Sequence, residues 1–142
     1  MSRVYWDAML FIYLLEGNPA FAPRVKAILQ QMQRRNDTLC TSVFTLGEVL
    51  TGPRKTGFLT RVERTRHFFL DSGRVELVPF GASTADRYSV IRAATSAKSA
   101  DAIHLACAAE HGVELFLTHD KSLRKFAIPG IHFIAGIDTD LY

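Results

Sequence analysis

Four acids carry the chemistry this sequence could perform. Asp7 directly follows the apolar run Val4-Tyr5-Trp6, and Asp120 follows Leu115-Phe116-Leu117-Thr118 by two residues. Glu48 ends the stretch Ser42-Val43-Phe44-Thr45-Leu46-Gly47, and Asp101 precedes Ala102–Ala109, which is apolar on nearly all sides. Each acid has a bland reading. Asp7 and Asp120 suit a helix N-cap or a turn, Asp101 interacts favourably with a helix N-terminus, and Glu48 suits a solvated helix face shared with Thr45 and Thr51. Asp101 fits its bland reading least well, because an acid at the start of a buried helix is rare unless paired or ligating. Carboxylates brought together repel, so they coexist only around a cation or with some protonated. Oxygen ligands of this type select Mg²⁺ or Mn²⁺ over Zn²⁺. The five histidines, His67, His104, His111, His119 and His132, are scattered, and only His119 adjoins one of these acids.

The elements that must position these acids alternate in type. Short strands are expected at Arg3–Trp6, Thr38–Thr41, Val75–Pro79, Glu114–Thr118 and Ile131–Ile134. Helices are expected at Ala8–Leu15, closed by Gly17-Asn18-Pro19, and at Phe21–Arg35, where Val25, Ile28, Leu29 and Met32 form one stripe. Further helices follow at Val43–Thr51, ended by Gly52-Pro53, at Leu59–Leu70 and at Thr84–Ala94. Another runs Ala100–His111, capped by Ser99 and stopped by Gly112, and a short helical turn lies near Ser122–Phe126. Strands separated by helices imply a parallel sheet with helices on its faces. Sites in such sheets form in the crevice outside the carboxyl ends of the strands. Asp7 and Asp120 follow strands, and Glu48 and Asp101 lie near helix starts, so all four are expected on that edge.

At 142 residues the chain is sized for one domain spanning residues 1–142, with no repeat, low-complexity tract or linker. Hydrophobic residues at 48% and charged residues at 22% exclude a disordered or fibrous chain. Two cysteines without metal-ligand spacing, Cys40 and Cys107, cannot staple a fold, which points to a reducing cytoplasm. Arg3, the apolar run after it and Ala20-Phe21-Ala22 imitate a secretory signal, but Asp7 interrupts the run and Pro19 follows it. No apolar stretch is long enough to span a bilayer. The balance of 17 Lys and Arg against 14 Asp and Glu is mildly basic. Setting the four candidate acids aside leaves 17 against 10, a more basic exterior around a negative hole.

These residues resemble the PIN-domain ribonucleases, and within them the VapC-like toxins of type II toxin–antitoxin pairs. The likeness runs from Val4 to about Ile134. It is carried by the opening strand with Asp7, by Ser42–Glu48, by Asp101-Ala102-Ile103-His104-Leu105-Ala106, and by Phe116-Leu117-Thr118-His119-Asp120. The resemblance implies a three-layer α/β/α fold around a central, mainly parallel sheet. It also implies an acidic pocket of Asp7, Glu48, Asp101 and Asp120, with Asp7 and Asp101 as principal ligands of Mg²⁺ or Mn²⁺ and Asp120 completing the set. Thr118, in the Thr-x-Asp pattern, would brace the pocket by hydrogen bonding. Two positions depart from the common pattern. Met9 stands where a small polar residue is frequent, and His119 where Asn often precedes the last acid.

The implied activity is endoribonuclease cleavage by a metal-activated water, leaving 5′-phosphate and 3′-hydroxyl ends. Because an acidic pocket repels RNA, affinity must come from cations around it. Candidates are Arg54, Lys55, Arg61, Arg64, Arg66 and Lys98, which otherwise read as solvated helix faces. A toxin would also need an antitoxin seated in an apolar groove, and homodimerisation is implied likewise. The alternatives are a PIN-like domain that binds RNA or protein without cutting, and an α/β phosphotransfer domain. Met9 argues against a phosphatase of the latter kind, which needs a second acid two residues after its nucleophile.

Overall fold

Period-two alternation in the strands decides the layering. In β1 (Arg3–Trp6), Val4 and Trp6 face one side of the sheet and Tyr5 the other; β4 (Leu115–Thr118) repeats this with Leu115 and Leu117 opposite Phe116. All of these side chains are buried, as both faces of a parallel sheet must be. In this computed structural model, which describes residues 1–142, five strands lie in the order β3-β2-β1-β4-β5, every neighbouring pair parallel. The other three are β2 (Thr38–Ser42), β3 (Glu76–Val78) and β5 (Phe133–Gly136). The sheet is therefore wholly parallel, not merely mainly so.

Six helices complete the fold. On one face α1 (Ala8–Glu16) and α2 (Ala22–Arg34) bury Leu10, Phe11, Val25, Ile28 and Met32 against Val4, Trp6 and Leu117, and Val49 of α3 (Val43–Thr56) joins them. On the other, α5 (Ala82–Ala94) and α6 (Ser99–Glu110) bury Ile91, Leu105 and Ala106 against Tyr5, Cys40 and Phe116. The remaining helix, α4 (Leu59–Arg66), follows α3 at the end of the first layer. These are the two outer layers of an α/β/α sandwich. The chain builds β2 and β3 outward from one side of β1, then crosses to place β4 and β5 on the other. The direction of winding thus reverses between β1 and β4, which makes that carboxyl edge the crevice where ligands bind in such sheets. No helix is long and apolar enough to cross a membrane.

Several helix limits lie one or two residues from those expected, and three features differ for a local reason. Helix α3 does not stop at Gly52-Pro53 but runs on to Thr56, with Pro53 inside it. A residue before proline avoids the helical region because its backbone N–H and its Cβ meet the proline ring, and Gly52 lacks the Cβ. The helix ends instead at Gly57, whose φ of +68° is the left-handed geometry of a C-cap glycine. Helix α4 is regular only to Arg66; residues His67–Asp71 form one wider π turn that sets Phe69 in the core beside Phe11, ring centroids 4.7 Å apart. Ser99 does not cap α6 either. Lys98 occupies the cap position, and the Ser99 hydroxyl meets the Tyr88 hydroxyl at 2.9 Å and Arg92 at 2.5 Å.

Candidate active site

The ends of β1 and β4 are knitted together. The Asp7 amide donates to the Leu117 carbonyl at 3.1 Å, holding the residue after β1 against the last turn of β4. Asp7 caps α1, its Oδ1 accepting from the Met9 amide at 3.2 Å. The same carboxylate has a second engagement that a plain cap would lack: the buried Thr118 hydroxyl donates to Asp7 Oδ2 at 2.6 Å. Thr118 Oγ1 in turn accepts from the Asp120 amide at 3.0 Å, so one threonine fixes both acids. Asp120 also opens a 3₁₀ turn, Lys121–Leu123. Its Oδ1 accepts from the Ser122 amide at 2.9 Å and the Ser122 hydroxyl at 2.7 Å. The Ser122 bonds hold the Asp120 carboxyl below the ordinary carboxylate range, and the charge of Lys98 adds to this.

Asp101, in the first turn of α6, faces the other two aspartates across the crevice. Burial pushes its carboxyl above the ordinary range, and the charges of Asp120 and then Asp7 push it further, against the opposing pull of His104 and Lys98. Three carboxylates are therefore within electrostatic reach of one another. They do not form a closed cage, since no three Asp, Glu, His or Cys side chains lie close enough together to grip one ion. The donor set still fits a divalent cation in its chemistry. It offers only hard oxygen donors, and the repulsion that raises Asp101 is what a cation among them relieves.

Glu48 reaches the cluster through a residue that the sequence reading left aside. His104 is not a scattered histidine; it is buried, with Nε2 2.6 Å from Glu48 Oε1 and Nδ1 2.7 Å from the Tyr5 hydroxyl. The Tyr5 oxygen also accepts from the Ser42 amide at 3.3 Å. The imidazole thus has a partner at each nitrogen, Glu48 at Nε2 and Tyr5 at Nδ1. Ser42 caps α3 by accepting from the Thr45 amide at 3.2 Å, and Thr45 Oγ1 lies 3.3 Å from His104 Nδ1. The spacing held the clue: His104 is three residues after Asp101, on the same helix face.

Among the expected RNA-contacting cations, Lys98 lies at the site, where its charge acts on both Asp101 and Asp120. Arg54 and Lys55 sit in the last turn of α3, about 9 Å of helix rise beyond Glu48. Arg61 pairs with Glu16 at 3.6 Å and stacks over Phe58 at 4.7 Å, while Arg64 and Arg66 lie exposed on α4. None of these residues of α3 and α4 bonds to the acids.

Residues 4–129 match the PIN domain family. The chain belongs to that family. Its fold also matches toxin–antitoxin structures. VapBC2 from Rickettsia felis, bound to a promoter DNA fragment, superposes with a TM-score of 0.75 at 16% identity, over 94% of this chain and 98% of that one. DNA-bound VapBC from Salmonella typhimurium gives 0.73 at 22% identity, over 96% and 99%. VapC20 of Mycobacterium tuberculosis, a toxin that cleaves the sarcin–ricin loop, gives 0.66 at 17% identity, over 87% and 96%. No curated protein matches the chain in sequence.

Proposed function

We propose that this PIN domain is the endoribonuclease toxin of a type II toxin–antitoxin pair, with Mg²⁺ or Mn²⁺ held by Asp7, Asp101 and Asp120. The observation that carries this reading is the placement of Asp101. An acid kept above its ordinary range by burial first and then by two neighbouring aspartates, in the switch-point crevice of a parallel sheet, is a group arranged to receive a cation. Bound there, a divalent ion lowers the pKa of water toward neutrality and offsets charge developing on the phosphoryl oxygens. The chain's own residues do the positioning. Thr118 and the Met9 amide, one on each oxygen, orient the Asp7 carboxylate, Ser122 fixes Asp120, and His104 holds Glu48 at the margin as a hydrogen-bond acceptor for water. Lys98 offsets part of the negative field that would otherwise repel an RNA backbone.

Toxin relatives crystallise with their antitoxins, and this chain offers a seat for one. A groove of about 310 Å³ is lined by Leu14, Leu15, Leu29 and Phe68, with Lys26 and Arg74 at its margin. We place the cognate antitoxin there and assign the chain to the cytoplasm as a homodimer. The test is cleavage of total RNA in Mg²⁺ or Mn²⁺ by the wild type and by Asp7→Asn and Asp101→Asn. Cleavage by the wild type alone supports the reading; undiminished cleavage by either variant sinks it. Metal-independent RNA binding without turnover by the wild type favours the non-catalytic alternative.

A further inference from the structure

A second pocket, of about 460 Å³, opens one strand along the sheet from the acidic cluster, walled by Phe21, Arg24, His119, Lys121, Arg124 and Asp138. Its position is set by register. Gly136 of β5 lies opposite Thr118 of β4, the residue that fixes Asp7, and adjacent strands are about 4.8 Å apart. Gly136 also makes room for the pocket's main cation. A Cβ there would meet the Arg124 guanidinium at 1.7 Å from Nη2, so only glycine lets that side chain lie against the strand end.

Charge and shape in the pocket belong to different residues. Arg24 is committed to the protein, donating to the carbonyls of Ile137 at 2.7 Å, Thr139 at 2.7 Å and Tyr142 at 3.1 Å. Arg124 pairs with Asp138 at 2.9 Å, while its buried Nε has no partner. Lys121 is exposed and takes part in no ion pair. Three cations thus surround one carboxylate, and the field in the pocket is positive beside a negative cluster. The aromatic wall is rigid. His119 Nδ1 lies 2.7 Å from the Tyr13 hydroxyl, and its ring packs edge-on to Phe21, centroids 4.4 Å apart.

We infer that this pocket holds the nucleotide of the RNA strand next to the cleaved bond, its phosphate on Lys121 and Arg124 and its base against His119 and Phe21. This rests on the ribonuclease reading above. Phosphate-holding cations beside aromatic rings are the paired features by which proteins hold single strands. An acidic peptide would use the cations and leave the wall without a purpose.

The test measures binding separately from cutting. A fluorescein-labelled single-stranded RNA 12-mer of mixed sequence is titrated in EDTA, at several salt concentrations, with the wild type, Lys121→Ala, the Lys121→Ala/Arg124→Ala double variant and Gly136→Ala. Lys125→Ala, just outside the pocket, is the control. Affinity is expected to fall about tenfold in the double variant. The slope of log K against log salt should shrink by about 0.7, the contribution of one phosphate no longer neutralised. Gly136→Ala should weaken binding by displacing Arg124, and Lys125→Ala should change neither quantity. Equal affinity and slope in the wild type and the double variant overturn the inference, as does failure of the wild type to bind. Lys121→Ala removes an exposed side chain and cannot fail by unfolding. If the wild type binds through the pocket yet cleaves no RNA in Mg²⁺ or Mn²⁺, the ribonuclease reading falls while the pocket stands.

Discussion

His104 Nε2 and Glu48 Oε1 lie 2.6 Å apart, joining α6 to α3 across the carboxyl end of the sheet. The imidazole is only 3% exposed and its other nitrogen is held by the Tyr5 hydroxyl, so Glu48 is fixed from inside the protein.

Replacing His104 with Leu separates positioning from binding. Tyr5 would keep a buried hydroxyl without its imidazole partner, which costs about 1–3 kcal/mol. For a chain of this length each kcal/mol lowers the melting temperature by about 2–4 °C. Activity should fall about 10- to 100-fold, as it does when a group that orients a site residue is lost. The fall should lie in kcat, with the KM for RNA little changed, because His104 is buried away from any substrate. His104→Gln, which retains one polar contact to Glu48, should recover part of the loss. A changed KM with constant kcat would contradict this placement.

Thr118→Val tests the bond between the two strand-end acids. Valine has nearly the same shape, so the β4–β5 packing should persist. Asp7 would lose its hydroxyl donor and the Asp120 amide its acceptor. Cleavage is expected to drop about 10- to 100-fold, and chemical denaturation should show a loss of about 1–3 kcal/mol for the unpaired groups. Wild-type rates in this variant would show that Thr118 serves the fold and not the site.

Asp101 should trade stability for function. Its folded-state carboxyl lies above the ordinary range, so its deprotonation opposes folding, and stability falls as pH rises through the window above the ordinary carboxylate value. Asp101→Asn removes that opposition. Its melting temperature at pH 7 should therefore exceed that of the wild type, by no more than about 2–4 °C, since solvent screens a half-exposed group to under about 1 kcal/mol. The same variant should not cleave RNA. Mg²⁺ or Mn²⁺ should raise the melting temperature of the wild type, more so at neutral than at acid pH, and raise that of Asp101→Asn much less. A destabilised Asp101→Asn would mean that the carboxylate is already satisfied within the protein.

The sequence made the sheet readable because both signals it needs are local. Strands such as Val4–Trp6 are continuous apolar runs, and Asp7, Gly17 and Gly112 punctuate the helices. All four acids could be assigned to one edge because a topological rule, not a contact, puts strand ends there. What stayed hidden depends on distance in the chain or on exceptions to local rules. His104 sits in an Ala-rich helix, where a lone histidine reads as packing until Glu48, 56 residues away, is seen against it. Arg61 looked free for RNA but faces Glu16 from a distant helix. The cationic pocket gathers Arg24, Lys121, Arg124 and Asp138 from opposite ends of the chain, and no spacing announces it.

Helix α3 offers a test of the same boundary problem in stability. Gly47 lies in the interior of this helix, one residue before Glu48, exposed and in ordinary helical geometry, and a Cβ there meets nothing within 4 Å. Gly47→Ala therefore adds no clash and removes the backbone freedom of glycine from the unfolded chain, a gain of about 0.5–1 kcal/mol. The melting temperature should rise by about 1–4 °C. Gly52→Ala, by contrast, gives the residue before Pro53 a Cβ in helical conformation, where it meets the proline ring, and should gain nothing or lose stability. If both variants gained equally, Gly52 would not be what admits Pro53 into α3, and the run of the helix to Thr56 would need another cause.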